Sequence, residues 1–312
     1  MLSILNVVLP VFALIFTGWL ARKIKILGEN ALSELNRFVV WLALPALLFD
    51  IIANAKGEAL LQPAFILTFS LGMMAVFLLT VLIQRRRTRH LSDAAIDALN
   101  ASYANTGFIG FPLVLVFLGH DALTPTLIAT ILTVSVLFGC AIVLIEIGMQ
   151  TSIRKTHIIA NVVRSLVRNP LLVSPAVAML FPVSGLQLPD AVNVFLKLLG
   201  GAASPCALIA LGLFLAGQSG RPVKSSNQTV TLLVVFKLLL QPLLTWLLAT
   251  WVFGLSPMLT HTAVLLAALP TGTGPFMLAE FYRREALITS RCVLISTVLS
   301  LLTISLYLYI IG

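Results

Sequence analysis

Two short stretches carry the polar and flexible residues with which an otherwise apolar chain could hold a small anion. The first is Asn105-Thr106-Gly107-Phe108-Ile109-Gly110-Phe111-Pro112 and the second is Pro270-Thr271-Gly272-Thr273-Gly274-Pro275. Each puts glycine, proline and hydroxyl groups where a membrane helix would be solid Leu, Ile and Val. In hydrocarbon every unpaired backbone group is costly, so unwound chain at membrane depth is tolerated only where it is buried in protein or lines a wet cavity. A broken helix also exposes N–H groups at the start of its second half, where the positive end of its dipole lies. Those donors fall around Gly107 to Gly110 and around Gly272 to Gly274, with the side chains of Asn105, Thr106, Thr271 and Thr273 beside them. Glycine lets a ligand approach the backbone closely. The chemistry suggested is reversible binding of a carboxylate, with Asn105, Thr106, Gly107, Gly110, Pro112, Pro270, Thr271, Gly272, Thr273 and Gly274 as the binding residues. The competing reading is helix packing, since Gly and Pro are frequent in membrane helices and small residues there permit close contact. Two breaks at matching places in two halves of a chain favour a transport site.

Lys237 is the other candidate. It lies about eight residues into an apolar run, roughly 12 Å deep at 1.5 Å per residue. At that depth an ionisable group is a functional hypothesis, by pairing with the substrate carboxylate or by taking part in proton coupling. Alternatively its stem lifts the ammonium back to the interface. Glu280 follows the second break and is a second coupling candidate, whereas Glu146 and Asp50 near span ends read as interfacial charges. Arg37 and Lys197, near the starts of their spans, read as anchors.

The elements that must position these residues follow from composition. Hydrophobic residues make up 59% of the 312 and charged residues 10%, far from a soluble domain. Ten spans of about 20 residues, the length that crosses ~30 Å of hydrocarbon, are expected at 2–21, 33–54, 62–84, 97–118, 123–147, 169–186, 191–217, 229–253, 260–282 and 287–311. The first has no basic residue before its apolar core and Arg22, Lys23 and Lys25 after it, so it reads as a retained span rather than a signal peptide. The net charge of +9 resides between the apolar runs, which argues against nucleic acid and for topology signals. The odd-numbered connections hold Arg22, Lys23, Lys25, Arg85, Arg86, Arg87, Arg89, Arg154, Lys155, Arg164, Arg168, Arg221, Lys224, Arg283 and Arg284, and the even-numbered ones only Lys56. Odd connections are therefore expected in the cytoplasm, with both termini on the outer, periplasmic side of the plasma (inner) membrane. Residues 151–168 are expected as a cytoplasmic linker, amphipathic and lying on the membrane surface. Cys140, Cys206 and Cys292 lie in apolar runs and the four histidines lack ligand spacing, so no metal or cofactor is expected.

The chain also reads as two copies, 1–150 and 169–312. Val8, Pro10, Ala13 and Phe16 match Val173, Pro175, Ala178 and Phe181. Arg37, Ala43, Pro45 and Leu48 match Lys197, Ala203, Pro205 and Leu208. Thr106-Gly107 matches Thr271-Gly272 at the same offset, 165, as the first set. Five spans per copy is an odd number, so the second copy enters from the opposite side and the repeat is inverted. The breaks then enter from opposite faces and converge near the midplane.

Three motifs carry a family resemblance: Asn36-Arg-Phe-Val-Val-Trp-Leu-Ala-Leu-Pro-Ala-Leu-Leu-Phe49, Asn105-Thr-Gly-Phe-Ile-Gly-Phe-Pro112 and Lys237-Leu-Leu-Leu-Gln-Pro242. The chain resembles the auxin efflux carrier family over essentially its whole length. That family includes bacterial malate and malonate permeases and plant auxin exporters. The resemblance implies an all-α polytopic membrane protein of ten transmembrane helices in two inverted five-helix repeats, with broken helices 4 and 9 crossing in an NhaA-like, bile-acid-transporter-like fold. It further implies elevator-type transport of an organic anion, a scaffold of helices 1, 2, 6 and 7, a moving domain of helices 3–5 and 8–10, and a homodimer. One departure is Pro270-Thr271, where plant members carry Pro-Asn; Thr lacks the second amide group, so an aromatic auxin-like substrate is not implied.

No ATP-binding loop or catalytic signature is present, so an enzyme is not expected and energy would come from a gradient. The expectation is a secondary carrier of small organic anions, mono- or dicarboxylates such as malate or malonate, with proton or sodium coupling open. An exporter of another small metabolite such as an amino acid, or a channel or sensor on a transporter fold, remains the alternative.

Overall fold

The structure is a computed structural model that describes residues 2–55, 61–87, 90–150, 164, 166–218 and 227–311. The expected linker lies almost wholly outside the described residues, as do Lys56, Arg89, Arg154, Lys155, Arg221 and Lys224. Among the described residues the chain is helical: α1 (Leu2–Lys23), α2 (Ala31–Ala53), α3 (Pro63–Arg86), α4 (Leu91–Ser102), α5 (Thr106–Leu118), α6 (His120–Met149), α7 (Pro170–Ser184), α8 (Asp190–Gly217), α9 (Asn227–Val252), α10 (Pro257–Ala267), α11 (Gly274–Phe281) and α12 (Ala286–Ile311). Six of these, α2, α3, α6, α8, α9 and α12, are long and apolar enough to cross a membrane. The α4–α5 and α10–α11 pairs take the place of continuous helices at the two sequence breaks.

Proline shapes these helices. Pro63, Pro170 and Pro257 occupy first helical positions, where the missing N–H would be unpaired anyway. Pro45, Pro112 and Pro242 lie inside helical runs and would break the ladder. Each follows a wider, π-type turn by two residues: Val39–Ala43, Thr106–Gly110 and Phe236–Leu240. That turn accommodates the proline without ending the helix.

Helices α1, α2, α7 and α8 pack chiefly on one another, whereas α3, α4, α6, α9, α10 and α12 form a second cluster. In the first group backbones touch. A Cβ added at Gly18 would stand 2.1 Å from the Ile209 carbonyl oxygen, and one at Gly212 2.0 Å from that of Ile15, so α1 and α8 cross where neither has a side chain. Helix α11 meets the first group through ring contacts of Phe276 with Phe214 and of Phe281 with Trp41. Helix α4 starts at Leu91 rather than at the expected 97. Within the run 91–102, Ser92 and every residue from Ala94 on are buried, so its polar residues Ser92, Asp97, Asn100 and Ser102 are buried and diluted the apolar signal.

Candidate functional site

The two breaks meet. Asn105 donates its N–H to the Pro270 carbonyl at 3.0 Å and Gly272 donates to the Tyr103 carbonyl at 3.1 Å, a one-rung antiparallel bridge centred on Ala104 and Thr271. Four helix ends converge around that bridge. Two are C-terminal ends, of α4 and α10, whose last carbonyls lack intrahelical partners. Both are capped from α9. Gln241 donates its Nε2 to the Ser102 carbonyl at 3.1 Å, and Lys237 donates its Nζ to the Ala267 carbonyl at 2.6 Å. The Thr271 hydroxyl reaches the Asn100 carbonyl at 2.7 Å, the Thr271 N–H is received by Ser296 at 3.1 Å, and the Asn100 amide donates to Thr289 at 3.0 Å.

The other two ends are N-terminal, of α5 and α11, and they border a cavity of about 390 Å³. Its lining includes Asn105, Thr106, Gly107, Thr273 and Gly274 from the breaks, Thr130 from α6 and Ser204 from α8. Apolar side chains of α2, α5 and α11 complete it, among them Leu44, Leu47, Leu48, Phe108 and Met277. The Thr106 hydroxyl is 1% exposed and has no hydrogen-bond partner among the described residues. An unpaired buried hydroxyl is rare because its desolvation goes uncompensated. Here it sits at the cavity wall. The N–H groups of Gly107 and Phe108 and of Gly274 and Phe276 likewise meet no acceptor among the described residues. A Cβ at Gly107 would find only Thr130 Cγ2, at 3.9 Å, so the backbone there is open to whatever occupies the space.

Of the residues singled out in the sequence, Gly110, Pro112, Lys237, Pro270, Thr271 and Gly272 do not line the cavity. Gly110 lies against Leu266 and Leu269, where a Cβ would come within 3.1 and 3.2 Å, so its smallness serves the crossing of α5 over α10. Gly272 lies under the Tyr103 ring, 2.8 Å from an added Cβ. Lys237 is fully buried, and its ammonium ends on Ala267 instead of reaching an interface. Glu280 is half-buried on α11, also outside the lining.

Sequence reasoning missed Tyr103, Asn100, Gln241 and Ser296. It also missed Asp97, fully buried on α4, whose carboxylate accepts from Gln84 at 2.5 Å. The available signal was polar residues at helical spacing, Ser92, Asp97, Asn100 and Ser102, just before the first break. Away from the cavity, Arg284 pairs in a bidentate manner with Asp93 (2.5 and 2.9 Å), tying the end of α11 to the start of α4. The carboxylate raises the Arg284 guanidinium above its usual range. Tyr282 donates to Glu146 at 2.8 Å nearby.

This arrangement suits non-covalent binding. The described residues hold no group of three or more potential metal ligands, and the donors at the cavity are backbone N–H, amide and hydroxyl groups. The profile of a family described as "Membrane transport protein" matches residues 3–308. A protein of Rhizobium meliloti named "Putative malonate transporter" is 31% identical, covering 100% of this chain and 97% of its own. An uncharacterized transporter of Methanothermobacter thermautotrophicus is 26% identical over 96% of each. Auxin efflux carrier component 2 of Oryza sativa is 28% identical over 52% of this chain and 26% of its own. With six helices among the described residues long and apolar enough to cross a membrane and a family match along nearly all of its length, the chain is a multi-pass membrane protein that belongs to the auxin efflux carrier family, whose members are transporters rather than enzymes.

Proposed function

We propose that this protein is a secondary carrier of small organic anions, mono- or dicarboxylates such as malate or malonate, held at the crossing of the two broken helices. One observation carries the reading. Two half-helix N-termini, the half-buried Asn105 amide and the orphaned Thr106 hydroxyl all border one cavity. Helix N-termini favour negative charge through their N–H groups and dipole. In this reading Asn105, Thr106, Gly107, Thr273 and Gly274 contact the anion. Gly110, Pro112, Pro270, Thr271 and Gly272 hold the crossing in shape. Lys237 and Glu280 stand outside the lining, so a role for them lies in coupling to a proton or sodium gradient.

The finer architecture in this proposal is ten transmembrane helices in two inverted repeats, 1–150 and 169–312, with both termini outside the inner membrane. Elevator-type alternating access would carry α3–α6 and α9–α12 past a dimeric scaffold of α1, α2, α7 and α8. The sorting of helix contacts into those two clusters supports it, as does the malonate relative. The test is uptake of radiolabelled malate, malonate and short monocarboxylates into proteoliposomes under imposed pH and sodium gradients. Saturable flux, lost in Asn105→Ala with insertion intact, is the expected result. Wild-type rates in Asn105→Ala would remove the assigned site, and absence of flux for every organic anion would remove the carrier reading.

A further inference from the structure

The cavity is built for one negative charge, not two. Among the described residues that line it, none is Asp, Glu, Lys, Arg or His. Positive potential reaches it from the N-termini of α5 and α11, each equivalent to roughly half an elementary charge, which together approximate one. Lys237 adds no direct contact. It is absent from the lining, and its ammonium sits on the C-terminal carbonyl of α10, where the dipole is negative.

A second ionised carboxylate in this space would meet neutral hydroxyls, of Thr130, Ser204 and Tyr103, among apolar side chains such as Leu44, Leu47 and Leu48, and no cationic side chain among the lining residues. A charge buried without a partner is far costlier than a neutral polar group. A neutral carboxyl, by contrast, can donate its hydrogen to the Thr106 oxygen, which is buried at the wall and has a free lone pair. From these observations, and resting on the carrier reading above, we infer that the transported species is a monoanion: a monocarboxylate, or the half-protonated form of a dicarboxylate. For a dicarboxylate the substrate itself then brings the proton. Flux responds to pH although no Asp, Glu, Lys, Arg or His side chain lines the cavity.

The experiment uses the full chain in proteoliposomes and compares malonate with monomethyl malonate, and succinate with butyrate, over a pH series that passes above the second dissociation of the dicarboxylates. The expected KM for total malonate rises about tenfold per pH unit above that dissociation, because the monoanion fraction falls by that factor. KM for the monoester and for butyrate stays flat. Transport of the monocarboxylates with none of either dicarboxylate at high pH supports the same conclusion. A dicarboxylate KM that is flat or falls as the dianion forms overturns the inference while leaving the carrier reading standing. So does a parallel rise for the monocarboxylates, which would place the titrating group on the protein. Saturable flux for none of the four overturns the carrier reading and this inference together. Ser204→Lys gives an independent check: a fixed cation in the lining is expected to move preference toward the dianion.

Discussion

The two breaks share the pair Thr-Gly, yet at the first that pair lines the cavity and at the second it is packed into protein. At the first, the Thr106 hydroxyl is unpaired and Gly107 looks into open space. At the second, the Thr271 hydroxyl is bonded to the Asn100 carbonyl and Gly272 is covered by Tyr103. The same two residue types therefore do opposite work. A polar group already satisfied by the fold stabilises it, and one left unsatisfied at a cavity wall is available to a ligand. Two stretches can stay alike in sequence while their surroundings diverge, because each meets different neighbours.

The difference can be sharpened by making the same change at both breaks. The largest contrast is expected for glycine. Gly272→Ala drives a methyl into Tyr103 and costs about 1–3 kcal/mol as overpacking, visible as a lowered Tm in detergent. Gly107→Ala keeps wild-type Tm and instead raises KM for the anion. Equal loss of Tm in both would erase the distinction. Threonine should follow. Thr271→Val strands a buried carbonyl at a cost of about 1–3 kcal/mol. Thr106→Val leaves stability unchanged or slightly higher, and weakens substrate binding several-fold in the same transport assay. The smallest effect is away from the cavity, where Asp93→Asn removes the bidentate partner of Arg284. Side chains there are 29% and 17% exposed, and such a partly solvated pair contributes up to about 1 kcal/mol, so Tm should shift by a degree or so and KM not at all.

Much of this was legible in the sequence because glycine and proline within apolar runs are a strong local signal. Both breaks, their pairing and the exposed N–H groups at Gly107 and Gly274 follow from it. The division of labour between the breaks was not legible. Whether a threonine is satisfied depends on which carbonyl stands opposite, and Asn100 is 171 positions from Thr271. Lys237 shows the same limit. Its depth was readable, but the direction of its stem depends on where α10 ends. Asp97 and Asn100 were passed over because buried polar residues on α4 look, in sequence, like the polar flank of a span.

Lys237 and Gln241 hold the ends of α10 and α4 from a single turn of α9. The carbonyls they grip, Ala267 and Ser102, are themselves related by the offset that relates the two Thr-Gly pairs. Helix α9 thus acts as a yoke on which both broken helices hang. Sliding one break past the other would shear a buried hydrogen bond at once, whereas moving them together disturbs neither. Load applied to either half is therefore shared by both.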